Sequence, residues 1–358
     1  AGWYAGECQK DVVQDVELRL YRMVNPATYA TDFPTSAPKL KWYKDIGEVV
    51  MHSNLASTEN NLSLAFRSST FGSGSHTLAD QNSFNLLYGG KEVYYHTGYY
   101  LNFSDAHNLM SYRHTRAHNS ILVDGIGQPF STEGYGMLLR AAGGEHIGYC
   151  LGDASHAYCG ISEDLMWIES FQKAGIEQTP ENGFGETPLT KYRRQMIMLY
   201  PDIVLIYDEL EASCPVRWDW LLHSPVQFGI DKNVFTSHVE TGVAVAQMFS
   251  DATFEVSQTD QFVVPPGEGY PNQWHLTAAF SNNSACRILT VVQIKNSEEE
   301  ALPVTRDGCC VTCGDWTIYV NLDPSSAECL QVTNASVPVV YSYGSDNIQT
   351  DSGVYLRQ

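Results

Sequence analysis

Two histidine-bearing blocks hold most of the residues in this chain that could do chemistry. In the first, Phe71-Gly72-Ser73-Gly74-Ser75 leads into His76, with Asp80, Gln81 and Asn82 just beyond. In the second, Tyr112 and Arg113 lead through His114 and Arg116 to His118 and Asn119. An imidazole on a glycine-rich loop, beside hydrogen-bonding side chains, can exchange protons or hold developing charge. Asp80, Gln81 and Asn82 are the groups expected to fix the His76 ring. His118 could bind a metal or a carboxylate, with Asn119 offering its amide. His96, at the end of a strand pattern, and His223, after Trp218, are further candidates. Histidines on neighbouring strand ends make a metal site only if the fold brings them together. Both blocks also suit loop histidines bonded to backbone and polar pairs that complete a strand edge.

The elements that must position these residues are mostly strands. Leu62, Leu64 and Phe66 alternate with Ser63, Ala65 and Arg67, the period of a half-buried strand. Phe84 to Tyr88, then Gly89-Gly90, then Glu92 to Tyr95 reads as a hairpin. Ile121-Leu122-Val123 ends in the turn pair Asp124-Gly125, and 195–200 pairs with 203–207 across Pro201-Asp202. Weaker strand patterns follow at 243–248, 287–294, 316–320 and 339–343. One helix is expected over 8–24, where Val12, Val13, Val16, Leu20 and Met23 share a face. No other long helix is expected. The expected fold is all-β, a multi-stranded antiparallel β-sandwich with a short N-terminal helix and a smaller C-terminal β unit. The expected divisions are 1–38 for helix and linker, 39–235 for the sandwich and 236–358 for the C-terminal unit.

Composition narrows the partners. The 358 residues carry a formal net charge of −20, which argues against nucleic acid and anionic membrane surfaces. A local basic pocket, for which Arg113 and Arg116 are candidates, would still admit an anionic sugar. The 21 Tyr, 7 Trp and 14 Phe suit extended sheets first and sugar stacking second. Nine cysteines leave at least one unpaired within the chain. Cys309, Cys310 and Cys313 lack the second ligand pair of a zinc site, leaving disulfides or free thiols. No apolar run is long enough for a membrane-spanning helix. The start at Ala1, without a signal pattern, fits a processed chain or a fragment.

Taken together, three stretches resemble the β-sandwich part of the heparinase II/III family. They are Gly74-Ser75-His76-Thr77-Leu78-Ala79-Asp80-Gln81-Asn82-Ser83-Phe84, then Gly89-Gly90-Lys91-Glu92-Val93, and then Ala117-His118-Asn119-Ser120-Ile121-Leu122-Val123-Asp124-Gly125. Looser likeness runs from Trp42 to about His223. The family consists largely of polysaccharide lyases, with related uronyl epimerases. Its members set an N-terminal toroid of α-helices against a stack of antiparallel sheets.

The resemblance implies β-elimination at a uronic acid, an anionic polysaccharide or oligosaccharide as partner, and a toroid domain supplying half of the cleft. It implies His76 as the catalytic histidine of the sandwich side, with Tyr112, Arg113, Arg116, Asn82 and Asn119 near substrate. His118 matches a ligand histidine of some members, and His96 stands where many have an acidic ligand. A divalent metal such as zinc would then be held by His96 and His118, with His107 a possible third donor. Leu78 departs from the pattern, because it occupies the second position of a His-x-His pair. A periplasmic or secreted location is expected. The alternatives are a non-catalytic carbohydrate-binding or structural β-module, and a uronyl C5-epimerase.

Overall fold

A computed structural model describes residues 37–342. The helix expected over 8–24 and most of its linker lie outside the described residues. The first sheet is a meander of β1 (Leu40–Tyr43), β2 (Glu48–His52), β3 (Leu62–Arg67), β4 (Ser83–Tyr88) and β5 (Lys91–Tyr94). The second has ten strands: β6 (Ile121–Val123), β7 (Met137–Gly143), β8 (Ile147–Asp153), β9 (Leu189–Leu199), β10 (Ile203–Ser224), β11 (Phe228–Asp231), β12 (Val234–Val239), β13 (Gly242–Phe249), β14 (Glu255–Thr259) and β15 (Trp274–Lys295). The third is another meander, β16 (Val304–Asp307), β17 (Cys310–Cys313), β18 (Trp316–Val320), β19 (Leu330–Asn334) and β20 (Val340–Ser342).

The ten-stranded sheet lies in the middle. Its even-numbered positions in β10, such as Val204, Ile206, Trp218, Trp220 and Leu222, pack with Leu64, Phe66, Phe84 and Leu86 of the first sheet. Its odd-numbered positions Ile203, Leu205 and Tyr207 pack with Val311, Ile318, Val320 and Val332 of the third. With both faces covered, the middle of the sheet has no need of polar alternation. That is why 203–207 reads as an unbroken apolar run, whereas β3, covered on one face, alternates cleanly between buried and half-buried residues. Each fully buried large side chain stabilises the stack by about 1.5–3 kcal/mol.

The fold is the expected antiparallel β architecture. The division expected between 235 and 236 falls inside β12, which pairs with both β11 and β13. β15 in turn pairs with β10 over nearly its whole length, so the central sheet runs on past that point. All eight described cysteines, including Cys309, Cys310, Cys313 and Cys329, are free thiols. No helix among the described residues is long and apolar enough to cross a membrane.

One helix was not expected. α1 (Leu165–Ala174) ends at Gly175, whose φ of 67° allows the amides of Gly175 and Ile176 to turn back onto Gln172 and Phe171. α1 buries Trp167 and Phe171 in a satellite cluster with Ala79, Leu109, Phe130 and Phe184. This cluster forms the floor beneath the His76 loop.

Candidate active-site wall

The His76 loop leaves β3 at Arg67 and returns to β4 at Ser83, and its backbone is fastened at several points. Gly72, at φ 61°, sits so close to the 131–134 segment that a Cβ would meet Thr132 Cα at 2.8 Å. The amide of Ser73 donates to the Ser131 carbonyl at 2.8 Å. The amide of Ala79 donates to the Arg113 carbonyl at 3.0 Å, and the Arg113 guanidinium donates to the carbonyl of Thr77. The loop is therefore pinned on the C-terminal side of His76, while the His76 ring itself is exposed.

Arg113 explains much of this arrangement. It follows a single π-helical turn, Asn108–Tyr112, that closes through the Arg113 amide onto the Asn108 carbonyl at 2.8 Å. The residue is 1% exposed, and its guanidinium lies over the ring of Trp167 at 4.6 Å, near Phe103 and Phe130. Burial lowers its pKa to about 10, opposed by Tyr112, Tyr100 and Asp80. One residue thus ties together the two histidine blocks that stood out in the sequence.

A row of rings runs away from His76. His76 meets Phe103 edge-on at 4.8 Å; Phe103 and Tyr100 are 6.1 Å apart; Tyr100 and Tyr112, 6.3 Å; Tyr112 and His96, 5.9 Å. His96 then faces His118 at 5.6 Å. Tyr100 is 47% exposed, so the row of edge-on rings brings aromatic, partly apolar surface to the outside of the fold. Beside it the outer face of the first sheet is lined by Arg67, Asp80, Asn85 and Glu48, in a shallow cavity of about 130 Å³. Asn85 Oδ1 accepts from the His96 amide at 3.0 Å, joining this face to the ring row. Arg67 is committed to Asp80, to the Gly72 carbonyl and loosely to Glu48.

The sequence-predicted residues divide. His76, Tyr112, His96 and His118 come together along the row. Asn82 and Asn119 are both fully buried. Asn82 Nδ2 donates to the carbonyls of Gly152 and Tyr192, and Asn119 Nδ2 to that of Phe84, while Asn119 Oδ1 accepts from the His223 amide. These asparagines lock loops to strands, as their short amide side chains can. Arg113 is a buried brace rather than a surface contact. Arg116 opens onto a different cavity, bonded to Nδ1 of His114 and the Asn182 carbonyl. Asp80, Gln81 and Asn82 do not fix the His76 imidazole: Asp80 pairs with Arg67, and Gln81 bonds Ser69 and Gly72.

The residues do not fit a zinc centre. Among the described residues no group of three or more histidine, cysteine or acidic side chains converges on one point. His107 has both ring nitrogens engaged, Nδ1 donating to the Val264 carbonyl at 2.6 Å and Nε2 accepting from the Tyr99 amide at 3.1 Å. The third donor position is Leu78. His96 and His118 form a pair only, and His118 is 2% exposed, with Nε2 unpartnered. Burial lowers the His118 pKa to about 3, and it lowers that of His96 as well, each opposed by Asp80. Both rings are therefore neutral near pH 7.

Sequence reasoning missed Tyr100 and Phe103. Their only signal was aromatic density between Tyr94 and Phe103, which β-core packing explains equally well. It also missed Arg194, which anchors the loops from below. Arg194 and Asp208 are both fully buried, with Nε to Oδ1 at 2.6 Å and Nη2 to Oδ2 at 3.0 Å. Arg194 Nη1 donates to the carbonyls of Asn82, at 2.9 Å, and Asn119, at 2.6 Å. Trp220 Nε1 donates to Asp208 Oδ2 at 2.9 Å, completing the carboxylate's shell.

Comparison with solved structures finds the same fold. A heparinase III gene product with methylated lysines is 12% identical with a TM-score of 0.64, over 91% of this chain and 46% of its own. Heparan sulfate lyase HepC from Pedobacter heparinus is 12% identical with a TM-score of 0.63, over 93% of this chain and 47% of its own. Another heparinase III is 13% identical at a TM-score of 0.63, over 93% and 48%. This chain therefore spans about half the length of those structures. No curated protein sequence matches it. The Heparinase II/III-like, C-terminal family matches residues 35–304, three quarters of the chain, and the chain belongs to that family.

Proposed function

We propose that this chain forms one wall of a lyase cleft that cleaves uronic-acid-containing polysaccharide by β-elimination. In that reaction a base takes the C5 proton, the C4–C5 double bond forms, the C4–O4 bond breaks, and a proton goes to the departing O4. His76 is the proton-transferring group of this wall. The observation that carries the reading is an exposed imidazole on a backbone pinned by Arg113, at the end of the ring row of Phe103, Tyr100 and Tyr112. Pinning holds the reacting nitrogen in place against a bound sugar, which is where positioning gains rate. Flat rings suit the apolar faces of pyranoses. Burial raises the pKa of Tyr112 above the ordinary phenol value, so it keeps its proton and can donate a hydrogen bond to the glycan.

The C5 proton is too weakly acidic until the adjacent carboxylate is neutralised. On this wall Arg67 is paired with Asp80 and Arg113 is buried, so we assign that task to a helical toroid facing it. A periplasmic or secreted placement would follow from a glycan substrate. The test is to incubate the longer protein that carries this chain with uronate-containing glycans and follow the absorbance of unsaturated uronates. A glycan that is bound but never cleaved would favour the second reading, a carbohydrate-binding module. That reading draws on the same ring row and on Leu78.

A further inference from the structure

The central sheet carries a second concavity that the lyase reading does not use. On the face that the third sheet covers at Ile203, Leu205 and Tyr207, the far ends of the same strands present Leu221 and His223 of β10 and His275 and Thr277 of β15. No residue of β16–β20 lines this end. It is roofed instead by the 180–182 turn and the 259–263 segment, leaving a cavity of about 430 Å³. That is the small end of the range for ligand pockets, about 300–1,000 Å³.

Its chemistry is sorted by depth. Arg116 lines the wall and has no carboxylate partner among the described residues. Its Nε and Nη2 are held by His114 and the Asn182 carbonyl, and Nη1 makes no bond there. Leu122, Leu221 and Phe262 give apolar surface, and Thr259 and Thr277 give hydroxyls. Asp124 and Glu181, both exposed, place carboxylates at the rim. A fixed guanidinium takes a single carboxylate well. Apolar walls with a few hydroxyls suit a pyranose ring. Rim carboxylates repel a polyanion that would continue out of the mouth.

We infer that this cavity binds a short sugar acid, a mono- or disaccharide with one carboxylate, at a site separate from the His76 wall. The site is also wired to that wall. The His223 amide donates to Asn119 Oδ1 at 2.8 Å, and the His223 ring lies between Asn119 Oδ1, 3.1 Å from Nδ1, and the Arg116 carbonyl, 2.9 Å from Nε2. Thr97, next to His96, lies 3.4 Å from Nδ1 of His275.

The test is calorimetric titration of the 358-residue chain with glucuronate, and with glucose as the neutral control. Saturable one-site binding of glucuronate is expected, with glucose at least tenfold weaker. Thr277→Trp, which fills the cavity, should weaken glucuronate at least tenfold. Val263→Glu, at an exposed position on the mouth where folding is not at stake, should weaken glucuronate and leave glucose unchanged. His76→Ala should leave both affinities alone. The inference is overturned if the unaltered chain shows no saturable glucuronate binding, or if Thr277→Trp and Val263→Glu bind as the unaltered chain does. Loss of binding in His76→Ala would overturn it too, because it would move the ligand to the other wall.

Discussion

The Arg113 guanidinium donates to the backbone carbonyl of Thr77, the residue immediately after His76. This one contact joins a buried cation to the loop that carries the exposed imidazole. Because Arg113 stacks on Trp167 of α1, helix, loop and ring row form one mechanical unit.

Replacing Arg113 by methionine keeps much of the stem packing and removes the hold on Thr77. The variant should stay folded, because an apolar side chain of similar length avoids a stranded buried charge. In the longer protein kcat should fall at least tenfold, with a smaller change in KM, because His76 positioning is lost rather than glycan contact. A variant with unchanged kcat would show that the loop needs no brace.

Asp208→Asn tests the anchor below both loops. It leaves the Arg194 charge buried and uncompensated, which costs about 3–5 kcal/mol. Urea unfolding should show the loss directly. A cost under about 1 kcal/mol, the range of exposed ion pairs, would mean the pair is not the anchor described.

Gly152 on β8 lies against Asn82 and Phe66. A Cβ there would contact Asn82 Oδ1 and approach Phe66 Cε1 to 2.7 Å. Gly152→Ala should destabilise by about 1–3 kcal/mol, the usual cost of overpacking. Thermal unfolding measures it, and an unchanged midpoint would refute the packing.

Acid should loosen the fold through buried imidazoles. His118 is held near 3 by burial, against an ordinary value of 6.5. Between those values the folded ring is neutral while the unfolded chain binds the proton. The unfolded state therefore takes up more protons, and stability falls as pH drops below about 6.5. The loss from this one ring is about 1.4 kcal/mol per pH unit. Urea midpoints at pH 7 and pH 5 should separate less in His118→Asn than in the unaltered chain. Equal separations would remove His118 from the account.

The strands were legible because their patterns are local. Leu62, Leu64 and Phe66 alternate, and Gly89-Gly90 marks the β4–β5 turn, so sequence and structure agree there. The central strands were harder to read: burial on both faces erases the period-2 signal in 195–199 and 203–207. α1 was missed because its inward-facing apolar stripe, Trp167, Phe171 and Ala174, is short, and exposed Leu165 and Met166 blur it. In the site, His76 and His118 stood out by residue type. Which polar neighbours point outward was not legible: Asn82 at φ 56° turns inward to Gly152, and Arg116 turns toward Asn182. Those directions depend on a strand and a turn more than sixty residues away.

The central claim is that His76 transfers a proton in glycan cleavage. The most direct measurement is the initial rate of unsaturated uronate formation by the longer protein with His76→Ala, at matched unfolding midpoint. Loss of a general acid–base group predicts a fall of about 10²–10⁴-fold. A rate within a factor of two of the unaltered protein would contradict the account.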